Sequence, residues 1–123
     1  MREEVFNSVS SQLIETLLDQ VDRNYREVEH NTYVFKLSGY NILLIARDSD
    51  IQLVTSFSGI RVTLSRINEW NKTKRFTRAY LDKDNDPVLE ADLDFKGGVT
   101  MQSIGRFVGI FAASVDIFAR HIS

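Results

Sequence analysis

The chain has 123 residues, of which 43% are hydrophobic and 26% charged, with a formal net charge of −2 and no cysteine. That length suits one domain able to bury roughly two-thirds of its unfolded surface, and the apolar content argues against disorder and against reliance on metal or disulfide staples. Lack of cysteine excludes disulfides, thiolate nucleophiles and thiolate metal sites, while the slightly acidic balance offers no broad positive field for nucleic acid or anionic lipid.

The opening residues Met1 to Asn7 carry Glu3 and Glu4 and no apolar core, so they do not read as a secretory signal; the expected compartment is the cytoplasm. Over 6–21, Val9, Leu13, Ile14, Leu17, Leu18 and Val21 recur at three- and four-residue steps, which predicts an amphipathic helix capped by Asn7 or Ser8. A polar connection through Asp22, Arg23 and Asn24 leads to three β-rich runs, 32–37, 41–47 and 51–57, separated by Ser38-Gly39 and by Asp48-Ser49-Asp50. These predict an antiparallel meander. Its middle run, Ile42 to Ala46, is apolar without alternation, which suits a central strand or one covered on both faces, with one face open to a partner.

Thr63 or Ser65 caps a shorter helix through Leu64, Ile67, Asn68, Trp70 and Asn71 that ends near Arg75. The runs 76–82 and 88–95 flank Lys83-Asp84-Asn85-Asp86-Pro87, whose composition is turn chemistry, and so form a hairpin. A register with Tyr80 opposite Glu90 sets Arg78 opposite Asp92 and Ala79 opposite Ala91. Gly97-Gly98 then breaks the chain, and Thr100 caps a long helix to about Ile122. In it Met101, Ile104, Val108, Phe111, Val115, Phe118 and Ile122 make a core stripe that Phe107, Ile110 and Ile117 widen beyond one face. The apolar stretch 104–119 contains Arg106 and Asp116 and is shorter than the roughly 20 residues a membrane span needs, so no membrane segment is expected. Gly105, Gly109 and Ala113 stand at four-residue steps, which predicts close backbone approach, with Ala79 and Ala91 as the facing surface. The expected architecture is α+β: helix, three-stranded antiparallel meander, helix, β-hairpin and long C-terminal helix in one domain over 1–123.

Asn68-x-Trp70-Asn71, Arg78-Ala79-Tyr80-Leu81, Val88-Leu89-Glu90-Ala91-Asp92 and Gly97-Gly98-Val99-Thr100, in this order, resemble the YbjN-domain family, bacterial proteins described as sensory transduction regulators. The similarity covers nearly the whole chain. It implies a fold like that of type III secretion chaperones, small dimeric adaptors that hold client proteins and have no catalytic residues. The departure is Asp86-Pro87, where a glycine-containing turn is expected, and it bears on turn type alone.

Candidate chemistry is sparse. Asp82, Asp84 and Asp86 alternate as at the start of a calcium loop, but Pro87 and Leu93 occupy the places of its glycine and glutamate, so a solvated turn is the preferred reading. Glu90, Asp92 and Asp94 share one strand face, where paired carboxylates could do acid and base work; with Arg78 opposite, they read as the wet side of an amphipathic strand. His30 and His121 have no accompanying nucleophile pattern, and Gly97-Gly98 lacks the Lys-Ser/Thr ending of a phosphate loop. Neither a catalytic centre, a metal nor a cofactor is expected.

Within 70–80, Lys72, Lys74, Arg75 and Arg78 alternate with Trp70, Phe76 and Tyr80, the ingredients of single-strand stacking and phosphate contact. Cations ending a helix also need no ligand, and nucleic acid ranks second. One amide of Asn68 and Asn71 should be buried and bonded to loop backbone, and Trp70 either anchors an interface or lies in the core. The leading reading is a non-catalytic protein-binding module, chaperone-like or regulatory, acting as a homodimer in bacterial signalling or stress response. Its interaction residues are Asn68, Trp70, Asn71, Arg75, Arg78, Glu90 and Asp92.

Overall fold

A computed structural model describes residues 3–123. In chain order it contains β1 (Val5–Phe6), α1 (Ser11–Val21), β2 (Arg26–Glu29), β3 (Thr32–Leu37), β4 (Tyr40–Ala46), β5 (Asp50–Ser56), α2 (Leu64–Thr73), β6 (Arg78–Leu81), β7 (Pro87–Asp94), β8 (Val99–Thr100) and α3 (Met101–His121). Strands β2-β3-β4-β5-β7-β6 form one antiparallel sheet, and β1 pairs with β8 beside it. The α+β layout read from the sequence is the one observed, with three added strands.

Local chemistry explains most boundaries. Ser10, rather than Asn7 or Ser8, caps α1 by accepting from Leu13 N–H at 3.1 Å, because the chain before it is drawn off into β1. Ser38 and Gly39 both have positive φ, 53° and 85°, the geometry of the two-residue turn that matches the twist of hairpin strands, and they join β3 directly to β4. Thr63 caps α2, and Thr100 and Ser103 form a reciprocal capping box at α3.

Alternation along the strands splits the sheet into two faces. Tyr33, Phe35, Ile42, Leu44, Ile51, Leu53, Ala79, Leu89 and Ala91 form a single cluster with Leu13, Ile14, Leu17 and Leu18 of α1, Ile67 and Trp70 of α2, and Ile104, Val108, Phe111, Val115 and Phe118 of α3. All three helices therefore cover the same face. Leu43 and Ile45 of β4, on the other face, take no part in that cluster, which accounts for the unbroken apolar run in β4: one half is core and the other half faces outward.

Two expectations need correction here. The β6–β7 register sets Arg78 opposite Glu90, Ala79 opposite Leu89 and Tyr80 opposite Val88, two residues from the predicted pairing. The cause is the turn, where Asp82 N–H donates to Asp86 C=O at 3.0 Å and Pro87 enters the ladder as the first residue of β7. Gly105, Gly109 and Ala113 are exposed, and a Cβ built on either glycine meets nothing within 4 Å, so this stripe does not face Ala79 and Ala91. α3, at 21 residues, is long and apolar enough to cross a membrane by length and composition alone, a test that core helices also pass. Its apolar stripe is nonetheless used against the sheet, where Ile104, Val108, Phe111, Val115 and Phe118 are buried.

Candidate protein-interaction surface

On the helix-free side, one row of facing residues crosses all six strands: Arg26, Val34, Leu43, Val54, Glu90 and Arg78. A second row runs Thr32, Ile45, Gln52, Asp92. Val34, Leu43, Ile45 and Val54 are half-buried by one another, and no helix covers them among the described residues. Val34, Asn41, Leu43, Val54 and Ser56 line a shallow hollow of about 290 Å³. The face is thus apolar in the middle and charged toward both edges.

At the β7–β6 end the charges are tied together. Glu90 is only 6% exposed although it lies on the open face, because Arg78 and Tyr80 close over it. Arg78 reaches one carboxylate oxygen through Nε and Nη2, Tyr80 Oη donates to the other at 3.1 Å, and Arg78 Nη2 also lies 3.6 Å from Asp92. These bonds hold the Arg78 guanidinium further above its already high value, chiefly through its hydrogen bond to Glu90. The Tyr80 phenol is raised, first by desolvation and then by Glu90, which accepts only from the neutral phenol. Both carboxylate oxygens of Glu90 are thus engaged by neighbouring side chains of β6.

The other residues singled out in 68–78 divide between frame and surface. Trp70 is 1% exposed and belongs to the core: its ring packs edge-on to Phe118 at 5.0 Å and near His121 at 5.5 Å, and Nε1–H donates to Thr77 Oγ1 at 3.1 Å. Asn71 accepts from Ala79 N–H at 2.8 Å and donates to Ala79 C=O at 2.9 Å. Of the two amides it is the one that binds backbone, but against expectation it is itself exposed and its partner is a strand rather than a loop: it occupies the outer edge of β6 as a neighbouring strand would. Asn68 and Arg75 are exposed. Lys74 Nζ lies 5.4 Å from the centre of the Trp70 ring, and Phe76 is 73% exposed. The basic and aromatic residues of 70–80 are therefore not one platform, since Trp70 is internal and Arg78 is neutralised by Glu90 and Asp92.

The remaining candidates serve the fold. Carboxylate oxygens of Asp82, Asp84 and Asp86 lie within 4.8 Å of one another. Asp82 Oδ1 accepts from the N–H groups of Asp84 and Asp86, and Asp86 Oδ1 from Gly59 N–H and Arg61, so these oxygens close the hairpin. His121 Nε2 lies 2.7 Å from Arg66 C=O and must donate to it, while Arg66 Nε donates to His121 C=O at 2.9 Å, joining the start of α2 to the end of α3. His30 is exposed. Gly97 and Gly98 have φ of 88° and 95°, and a Cβ on Gly98 would lie 2.5 Å from Val5, so the pair makes the turn that lets β1 close on β8. A hollow of about 540 Å³ between residues 4–8 and α1 has Glu4 as its one charged lining residue. It gathers none of the groups above.

The lack of alternation in β4 pointed to a sheet face open to a partner, but the residue-by-residue reading did not name the side chains that form its apolar half, Val34, Leu43, Ile45 and Val54. Comparison with curated proteins finds no match. The family model of YbjN, described as "Putative bacterial sensory transduction regulator", matches residues 10–123, from the cap of α1 through all of α3, and the chain belongs to the YbjN family.

Proposed function

We propose that this chain is a non-catalytic protein-binding module, a regulatory or chaperone-like adaptor that acts as a homodimer in the bacterial cytoplasm, with residues 1–123 as its single domain. The observation that carries the reading is the open sheet face, where Val34, Leu43, Ile45 and Val54 form an apolar centre flanked by charged residues such as Lys36 and Asp92. An apolar centre within a polar surround is the anatomy of a protein-binding patch. Family membership supports a regulatory role. Arg78 and Asp92 border the patch, and the engaged state of Glu90 supports a non-catalytic role for that carboxylate. The chaperone-like fold implied by the resemblance fits a sheet layered with helices on one side.

The test places a photo-crosslinking residue at Leu43 in the bacterial cell, with a control at the exposed hairpin position Lys83. A protein adduct at position 43, absent at 83 and abolished by Val54→Glu in a variant of unchanged circular dichroism, supports the reading. No adduct at 43 with the fold intact refutes it. Salt-sensitive retention of RNA that is lost in Lys72→Glu, Lys74→Glu and Arg75→Glu would favour the nucleic-acid alternative instead.

A further inference from the structure

We propose that the outer face of α3 is where two copies of this chain associate, the helices packing antiparallel about a two-fold axis level with Phe111. The inference rests on the homodimer part of the reading above and adds the surface. At 100° per residue, Gly105, Arg106, Gly109, Ala113, Asp116 and Ile117 fall within an arc of about 120° on the side opposite Phe111, whose ring is in the core. Five of the six are exposed and Asp116 is half-buried; Ile117 remains 40% exposed.

Nothing inside one copy accounts for this composition. Glycine weakens a helix interior more than any residue except proline, yet both glycines face open space within the chain. Arg106 and Asp116 make no ion pair among the described residues. All of these features are satisfied together by a second helix of the same sequence running the other way. Gly109 then meets Ala113 of the second copy, Gly105 meets Ile117, and Arg106 meets Asp116, each contact occurring twice by symmetry. Glycine against alanine lets the axes approach to about 8 Å, and antiparallel dipoles oppose favourably. A parallel pair would set Arg106 on Arg106 and Asp116 on Asp116. A client of unrelated sequence has no reason to reproduce the match, so the occupant is a second copy.

The chain has no cysteine, so introduced thiols are the only ones present. Gly109→Cys and Ala113→Cys are prepared separately, mixed and oxidised, and solution mass is measured by light scattering. The expected result is a disulfide joining position 109 of one copy to 113 of the other, in preference to either symmetric product. Arg106→Glu and Asp116→Arg should each raise the dimer dissociation constant about tenfold, and their combination in one chain should restore it, an outcome misfolding cannot imitate. Gly109→Leu fits a single copy and should give a folded monomer. A wild-type monomer at every concentration would overturn both this surface and the homodimer reading. A stable wild-type dimer with symmetric or no cross-links, insensitive to both charge reversals, would overturn this surface alone.

Discussion

Replacing Asn71 tests how the free edge of the sheet is finished. In Asn71→Ala, Ala79 loses a donor and an acceptor at once, and Ala79 is buried, so water reaches the vacated groups poorly. At about 1 to 1.5 kcal/mol per bond the loss is about 2 to 3 kcal/mol, offset by roughly 0.5 kcal/mol from the better helix propensity of alanine. A net loss of about 2 kcal/mol moves a urea midpoint by about 1 M for a slope of about 2 kcal/mol/M. Asn71→Asp separates the two bonds, because the carboxylate can still accept from Ala79 N–H but confronts Ala79 C=O with no hydrogen. Protonation returns that hydrogen, so the folded state raises the pKa of the new side chain. Its share of the stability is therefore present below the ordinary carboxyl range and lost as pH rises through the folded value. Urea melts followed by far-UV circular dichroism should show the Asp deficit shrinking between pH 7 and pH 4. An Ala variant within about 0.5 kcal/mol of wild type, below the value of a single bond, or an Asp deficit that grows in acid, would refute the reasoning.

Trp70→Ala should cost about 3 to 5 kcal/mol in denaturant melts, and Thr77→Val, which leaves the indole N–H buried without its acceptor, about 1 to 2 kcal/mol. Gly98→Ala should destabilise more than Gly97→Ala, since both positions have positive φ but only Gly98 would strike Val5, and amide exchange at Val5 and Phe6 should rise with it. Asp22 is held below the usual carboxylate value, first by Lys36 N–H and then by Asn24 N–H. Its stabilisation is present above the unfolded carboxyl pKa and lost as pH falls through the folded one, so Asp22→Asn should flatten the acid limb of the stability profile measured by thermal melting. Tyr80, raised by burial and by Glu90, should ionise nearer its ordinary value in Glu90→Gln when the phenolate is followed by absorbance.

The elements that were legible were those whose local chemistry and burial agree. Thr100 before a run with Ile104, Val108, Phe111, Val115 and Phe118 in step announces α3, and the β3, β4 and β5 runs are bounded by their own turn residues. Strand β2 was missed because all four of its residues are exposed and carry no alternation. The β6–β7 pairing slipped by two because a two-residue shift leaves every side chain on its original face, and burial alone cannot distinguish the registers. Spacing aligned Gly105 with Gly109 but could not say which side of α3 they occupy. Of the candidate surface, the apolar half showed only as an unbroken run in β4. The clasp of Arg78 and Tyr80 on Glu90 depends on a register that spacing leaves open.

Both margins of the large sheet carry obstacles to a further strand, of different kinds. Along β6, Asn71 takes the main-chain donor and acceptor of Ala79 that a neighbour would need, while β2 presents Arg26, Glu27 and Glu29 on an exposed strand whose ladder is interrupted between Glu27 and Glu29. Charge, irregularity and a side-chain stopper are the devices by which sheets avoid recruiting foreign strands. These features oppose growth by end-to-end strand addition, the route to fibrous assembly, and they suit the proposed recognition through side chains on the open face rather than by extension of the ladder.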